Sequence, residues 1–231
     1  MHPSTLPSYV TDRMMQRRGK VTVFDNLEPA RTAVVVVDMQ NVFCEPGAAI
    51  EVPVAREIVP NINRLADAAR TAGSLVAWVQ MTIPDMKAWP VFLDSIVAPG
   101  LAQHVLDSLK PGTHGHKLWP KMDAREGDLF VTKNRFSAFL PTACELPAIL
   151  RKRGIDTILV TGTLTNVCCE SSARDAMMLD FRPIMVADAN AARNDDEHMA
   201  TLITFIQSFG DVRSTDDVIG MLDAGKNASA A

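Results

Sequence analysis

Leu159-Val160-Thr161-Gly162-Thr163-Leu164-Thr165-Asn166-Val167-Cys168-Cys169-Glu170 passes from an apolar run through a Gly/Thr-rich turn into a stretch with helical spacing. Residues 157–161 read as a strand and 167–179 as a helix, so the turn sets a cysteine on the first turn of a helix. Unpaired backbone N–H groups and the positive end of the helix dipole meet there. A thiol so placed is expected to have a lowered pKa, and the thiolate is the nucleophilic form. The same N–H groups can hold an oxyanion. The stretch points to a cysteine hydrolase built on a strand–turn–helix unit.

The pattern repeats on both sides of this unit. Residues 32–38, 75–81, 128–132, 183–187 and 211–214 read as further strands. The run 33–37 shows no polar alternation, as expected of a strand buried on both faces. Helices are expected over about 56–72, 142–153, 195–209 and 215–224. Gly73 stops the first, and Asn194 or Asp195 caps the helix at 195. Strand–helix alternation of this kind implies an α/β fold: one Rossmann-like, three-layer α/β/α domain around a mainly parallel six-stranded sheet. The domain is expected over 32–224, with an N-terminal arm at 1–31 lying on the surface or on a partner subunit. A frayed tail is expected at 225–231. Residues 82–126 carry Pro84, Pro90, Pro99, Pro111, Gly112, Gly115 and Pro120, and loops of such length are commonly functional or lid-like.

Composition narrows the function. The 231 residues suit one domain with a full core. A net charge of −4 gives no electrostatic case for nucleic acid or anionic membrane. The N-terminus lacks the apolar region of a secretory signal, and no apolar run is long enough to span a bilayer. The four cysteines, at 44, 144, 168 and 169, match no zinc module. A reducing cytoplasm with free thiols is the expected setting.

In parallel sheets ligands sit beyond the carboxyl ends of the strands. That rule selects Asp38, Gln80, Lys133 and the 161–168 turn. Asp38 is either half of a structural ion pair or a general base for the thiol proton. Lys133 is either a solvated strand-end lysine or a cation between Asp38 and Cys168 that stabilises the thiolate. Cys169 points about 100° away from Cys168 on an ideal helical turn and is expected to pack, as are Cys44 and Cys144. A vicinal disulfide is rejected as strained. Phe43, Trp78, Phe136 and Phe139 are candidates for an apolar substrate wall, with Gln80 and Asn41 offering amide groups. Arg135 and Arg174 could receive a substrate carboxylate.

Three segments carry a family resemblance: Val36-Val37-Asp38-Met39-Gln40-Asn41-Val42-Phe43, Lys133-Asn134-Arg135-Phe136-Ser137-Ala138-Phe139, and the nucleophile stretch from Gly162 to Ala176. Together they resemble the isochorismatase-like cysteine hydrolases, over about residues 32–222. The resemblance implies an Asp-Lys-Cys triad on Asp38, Lys133 and Cys168, and a non-proline cis peptide at Thr163–Leu164. The N–H groups of Leu164 and Cys168 would then face the oxyanion. It also implies a homodimer or homotetramer, for which the 1–31 arm would suit an intersubunit clasp.

Nicotinamidases of this superfamily carry an Asp/His metal cluster between the first two motifs. Here only His104, His114 and His116 lie nearby, with no such triplet, so neither a metal nor another cofactor is expected. True isochorismatases cleave a vinyl ether and can lack the cysteine, so Cys168 argues for C–N cleavage. The nearest branch resemblance is to ureidoacrylate and N-carbamoyl amidohydrolases, with Phe136 where a tyrosine is typical and Cys169 where a valine is usual. The expectation is hydrolysis of a small linear amide or ureido compound through an acyl-enzyme. Biuret-like, N-carbamoyl amino acid and lactam substrates, or a non-catalytic scaffold, are the alternatives. A nucleotide-binding domain is disfavoured because no Gly-rich phosphate loop follows any strand.

Overall fold

The run 33–37 lies within strand β1 (Thr32–Val37), buried along its whole length. With β2 (Leu75–Met81), β3 (Leu129–Lys133), β4 (Thr157–Thr163), β5 (Arg182–Ala191) and β6 (Asp211–Arg213) it forms one six-stranded sheet of order β3-β2-β1-β4-β5-β6. Every neighbouring pair is parallel. This is a computed structural model, and it describes residues 1–229.

Among the described residues eight α-helices accompany the sheet: α1 (Ser8–Arg18), α2 (Asn41–Cys44), α3 (Val59–Ala72), α4 (Ala102–Leu109), α5 (Leu146–Lys152), α6 (Glu170–Met178), α7 (Asp195–Ser208) and α8 (Thr215–Ser229). Alternate residues of β1 feed two apolar layers, as the two-residue period of a strand requires. Val34 and Val36 pack with Ile62 and Leu65 of α3 and Val218 and Leu222 of α8. Val35 and Val37 pack with Leu150 of α5, Ala173 of α6 and Leu202 and Phe205 of α7. The α/β/α order follows from that alternation.

Several boundaries differ from the sequence reading. Strand β5 continues to Ala191, four residues beyond its expected end, although Asp188 and Asn190 look like strand breakers. Both are satisfied inside the fold. Asp188 accepts from the N–H and hydroxyl of Thr215, at 2.7 and 2.8 Å. Asn190 donates to the carbonyls of Val160 and Val186 where the β4–β5 register shifts. Helix α8 likewise continues through residues 225–229, expected as tail; residues 230 and 231 of that expectation lie outside the described residues. Helix α5 is shorter than expected because residues 142–145 form turns. The expected loop at 82–126 contains a π-helical turn (Val91–Ile96) and α4. The N-terminal segment lies along its own chain: Val10 of α1 joins the core with α7, and Asp211 accepts from the Val23 and Phe24 N–H groups.

One glycine sets the spacing of the central strands. Gly162 has φ +111°, and a Cβ there would stand 2.1 Å from the Val37 carbonyl oxygen. Neither backbone can yield without separating β1 from β4. Gly162→Ala is therefore expected to lower stability by at least ~1–3 kcal/mol, from combined strain and overpacking. The shift in urea midpoint measures it.

Candidate active site

Asp38 follows β1 directly and adopts a left-handed conformation, φ 53°, which Asp tolerates better than most residues. Its N–H still donates to the Val79 carbonyl at 2.9 Å, so it remains tied to the sheet as the chain turns away. Lys133 ends β3, with β2 lying between it and β1. Its Nζ donates to Asp38 Oδ2 at 2.7 Å, and both side chains are wholly buried. The Arg135 carbonyl accepts from the same ammonium at 3.2 Å, and Met81 Sδ lies 3.7 Å away.

Cys168 stands close enough for the charges of Asp38 and Lys133 to act on its thiol. It lies in a π-helical turn (Thr165–Cys169) that leads into α6, and it is buried. The Thr163–Leu164 peptide at the entrance to this turn is cis. The Leu164 carbonyl accepts from the N–H groups of Val167 and Cys169, each at 3.1 Å. Ser172 braces the turn, donating to the Cys168 carbonyl at 2.6 Å and accepting from the Ala138 N–H at 2.9 Å. One hydroxyl thus joins the lysine segment to the cysteine segment.

Burial pushes the Cys168 thiol up, and the Asp38 carboxylate adds to this; Lys133 opposes both. The lowered thiol pKa expected from a helix start is therefore reversed, with desolvation by burial the largest influence. Burial also raises Asp38, against the pull of Lys133. Lys133 loses solvation too, but the facing Asp38 and Cys168 hold its pKa above the ordinary value. The arrangement is a lysine cation held against a more basic carboxylate and a protonated thiol. A proton passing from Cys168 to Asp38 leaves the net charge of the cluster unchanged.

A cavity of ≈ 290 Å³ reaches the thiol. Phe43, Phe136 and Leu164 line it, together with Ile50, Met81, Phe92, Leu109 and Val167. Its polar lining comes from Asn166, Glu197 and Arg193. Asn166 donates to Glu197 at 3.2 Å. Arg193 is exposed, and its guanidinium has no hydrogen-bond or ion-pair partner among the described residues. A larger groove of ≈ 690 Å³ lies between residues 25–28 and α8 and touches none of these groups.

Four expected contact residues are not brought to this cavity. Trp78 is fully buried in the α3/α8 layer and donates its indole N–H to Asp128 at 2.8 Å. Phe139 is fully buried edge-on to Phe181. Asn41 is buried, and its amide donates to the His114 carbonyl at 2.9 Å. Gln80 donates to the His116 carbonyl at 2.8 Å and borders a separate groove near β3. Neither arginine considered for a carboxylate is there either. Arg135 lies over Trp89, and Arg174 pairs with Glu170 over Phe209. Arg193 was missed because the sequence reading ended the fifth strand at 187.

Two of the histidines between the first two motifs have side-chain partners. His114 is exposed and meets Glu45 at 2.8 Å; His116 meets the Thr82 hydroxyl at 2.8 Å. No group of three or more metal-ligating side chains gathers among the described residues. No helix among them is long and apolar enough to cross a membrane.

The family model for the isochorismatase domain matches residues 32–217. The chain belongs to the isochorismatase domain family. It is 32% identical to the ureidoacrylate amidohydrolase RutB of Agrobacterium fabrum, over 85% of this chain and 92% of that protein. Among solved isochorismatase-like structures, a cysteine hydrolase from Pseudomonas syringae pv. phaseolicola superimposes with TM-score 0.78 at 32% identity, covering 86% of this chain and 95% of that one. The N-carbamoylsarcosine amidase of Thermoplasma acidophilum superimposes with TM-score 0.65 at 28% identity, covering 80% and 97%.

A second buried group steadies the turn. His198 Nδ1 lies 2.9 Å from the Thr165 hydroxyl, and its ring stacks on His2 with centroids 4.7 Å apart. Burial, aided by His2, lowers the His198 pKa to about 4. Between that value and the unfolded ~6.5, the unfolded chain binds a proton that the native one refuses. The contribution of His198 is thus complete above pH 6.5 and is lost as pH falls towards 4. His198→Gln should show a smaller loss of urea midpoint between pH 7 and pH 4.5 than the parent protein; an equal loss would place the acid sensitivity elsewhere.

Proposed function

We propose that this protein is a cysteine-dependent amidohydrolase acting on a small linear amide or ureido compound that carries a carboxylate. The observation that carries this reading is the buried Lys133–Asp38 pair with the Cys168 thiol beside it, at the base of a cavity open to a small molecule. The ureidoacrylate and N-carbamoylsarcosine enzymes among the relatives act, by their names, on ureido compounds of this kind.

Asp38 takes the thiol proton while Lys133 keeps the pair neutral overall, and the Cys168 sulfur attacks the substrate carbonyl carbon. The C=O π electrons move to oxygen, where the N–H groups of Leu164 and Cys168 are the proposed donors. The tetrahedral adduct collapses by breaking the C–N bond, and Asp38 returns its proton to the leaving nitrogen. A water, deprotonated by Asp38, then attacks the acyl carbon of the thioester, or of the thiocarbamate that a ureide leaves on sulfur. The C–S bond breaks, the acid is released, and the proton on Asp38 restores the thiol.

Arg193 is the proposed receiver of the carboxylate, since it borders the cavity and carries no internal partner. Glu197, in the same lining, accepts from the side-chain amides of Asn166 and Asn194.

Cys168→Ala should reduce ammonia release from ureidoacrylate to background while leaving the circular dichroism spectrum and melting temperature close to those of the parent. Undiminished turnover would exclude the thiol mechanism. Arg193→Ala should raise KM for a carboxylated ureide about 10- to 100-fold, the range of one charge-assisted hydrogen bond. An uncharged amide of similar size should lose far less.

A further inference from the structure

Resting on the amidohydrolase reading above, we infer that the substrate carries an apolar branch, aromatic or branched-aliphatic, close to the scissile carbonyl. The apolar lining of the cavity includes Phe43, Ile50, Phe92, Leu109 and Phe136. None of these side chains can donate or accept a hydrogen bond. A wholly polar ureide such as biuret would lay N–H and C=O groups against that wall with no partner, which disfavours its binding.

The wall is set before any ligand arrives. The Phe136 ring meets Trp89 edge-on at 4.6 Å and Phe92 at 5.4 Å, and Trp89 packs on Phe92 at 4.6 Å. The Arg135 guanidinium covers Trp89 at 5.0 Å. Phe92 belongs to the 82–126 connection and Phe136 to the lysine segment, so the aromatic trio pins the connection beside the triad. The volume of ≈ 290 Å³ lies near the small end of ligand pockets, about 300–1,000 Å³. It has room for a branch the size of a leucine or phenylalanine side chain.

The carboxylate proposed for Arg193 and this branch together describe the N-carbamoyl derivative of an apolar amino acid, or an amide of the same shape. A single methylene in an apolar pocket discriminates about 10- to 200-fold in kcat/KM. The test compares N-carbamoylglycine, ureidoacrylate, racemic N-carbamoylleucine and racemic N-carbamoylphenylalanine on the full-length protein. Ammonia release gives kcat/KM, and protection of Cys168 from iodoacetamide, read by peptide mass, gives relative binding. At least one branched compound should exceed both unbranched ones tenfold or more in kcat/KM and protect at lower concentration. Phe92→Ser should shrink that ratio at least fivefold. Equal or better performance by the unbranched compounds on both measures would overturn the branch while leaving the amidohydrolase reading standing. Absence of Cys168-dependent turnover with all four compounds would overturn that reading, and this inference with it.

Discussion

A wholly buried charged pair, Lys133 with Asp38, is the constraint around which this molecule is organised. Burying it favours neither partner alone: desolvation of two ions can cost more than their attraction returns. The pair persists because three parallel strands end at one level. Lys133 on β3 must reach past β2 to Asp38 on β1, roughly two interstrand spacings of ~4.8 Å. A long, flexible side chain can span that gap. The thiol then enters an environment where one negative charge is already balanced and can move between oxygen and sulfur. Losing the lysine would strand a buried carboxylate, a change that typically costs ~3–5 kcal/mol.

The turn carrying Cys168 is held from several directions. Gly162 lets β4 approach β1, Ser172 ties the turn to the lysine segment, and His198 holds Thr165. His2 stacks on His198, engages Asp195 at 2.6 Å and meets Ala192, so the N-terminal segment also supports the wall behind the thiol. Cys169, the neighbouring thiol, faces inward towards the Thr161 carbonyl, and burial raises its pKa well above the usual thiol value. Two adjacent cysteines therefore live in different chemical settings.

The sheet was legible because apolar runs of β1, β2 and β4 carry no competing pattern, and strand ends alone pick out Asp38, Lys133 and the cysteine turn. What strand ends do not give is the direction of each side chain. Trp78 lies one residue before Val79 on β2 but is committed to the α3/α8 layer and Asp128. Gln80 and Asn41 spend their amides on backbone carbonyls of the 114–116 loop. Phe92 and Leu109 sit on short helical segments inside the 82–126 connection and Ile50 in a turn, and their place is set by tertiary packing. Arg193 did have a signal. Had the reading allowed Asp188 and Asn190 to be satisfied within a longer β5, the strand-end rule would have reached it.

The cavity is also divided by origin. Asp38, Lys133 and Cys168 stand on the sheet rim, where a shift of one residue would disturb the core, whereas Ile50, Phe92 and Leu109 are lent by connecting segments. Connections of this kind accept insertions and substitutions more readily than the strands they join. The fold therefore keeps the rim groups and part of the apolar lining on separately alterable parts. A lineage, or a protein engineer, can redraft the second while leaving the first untouched.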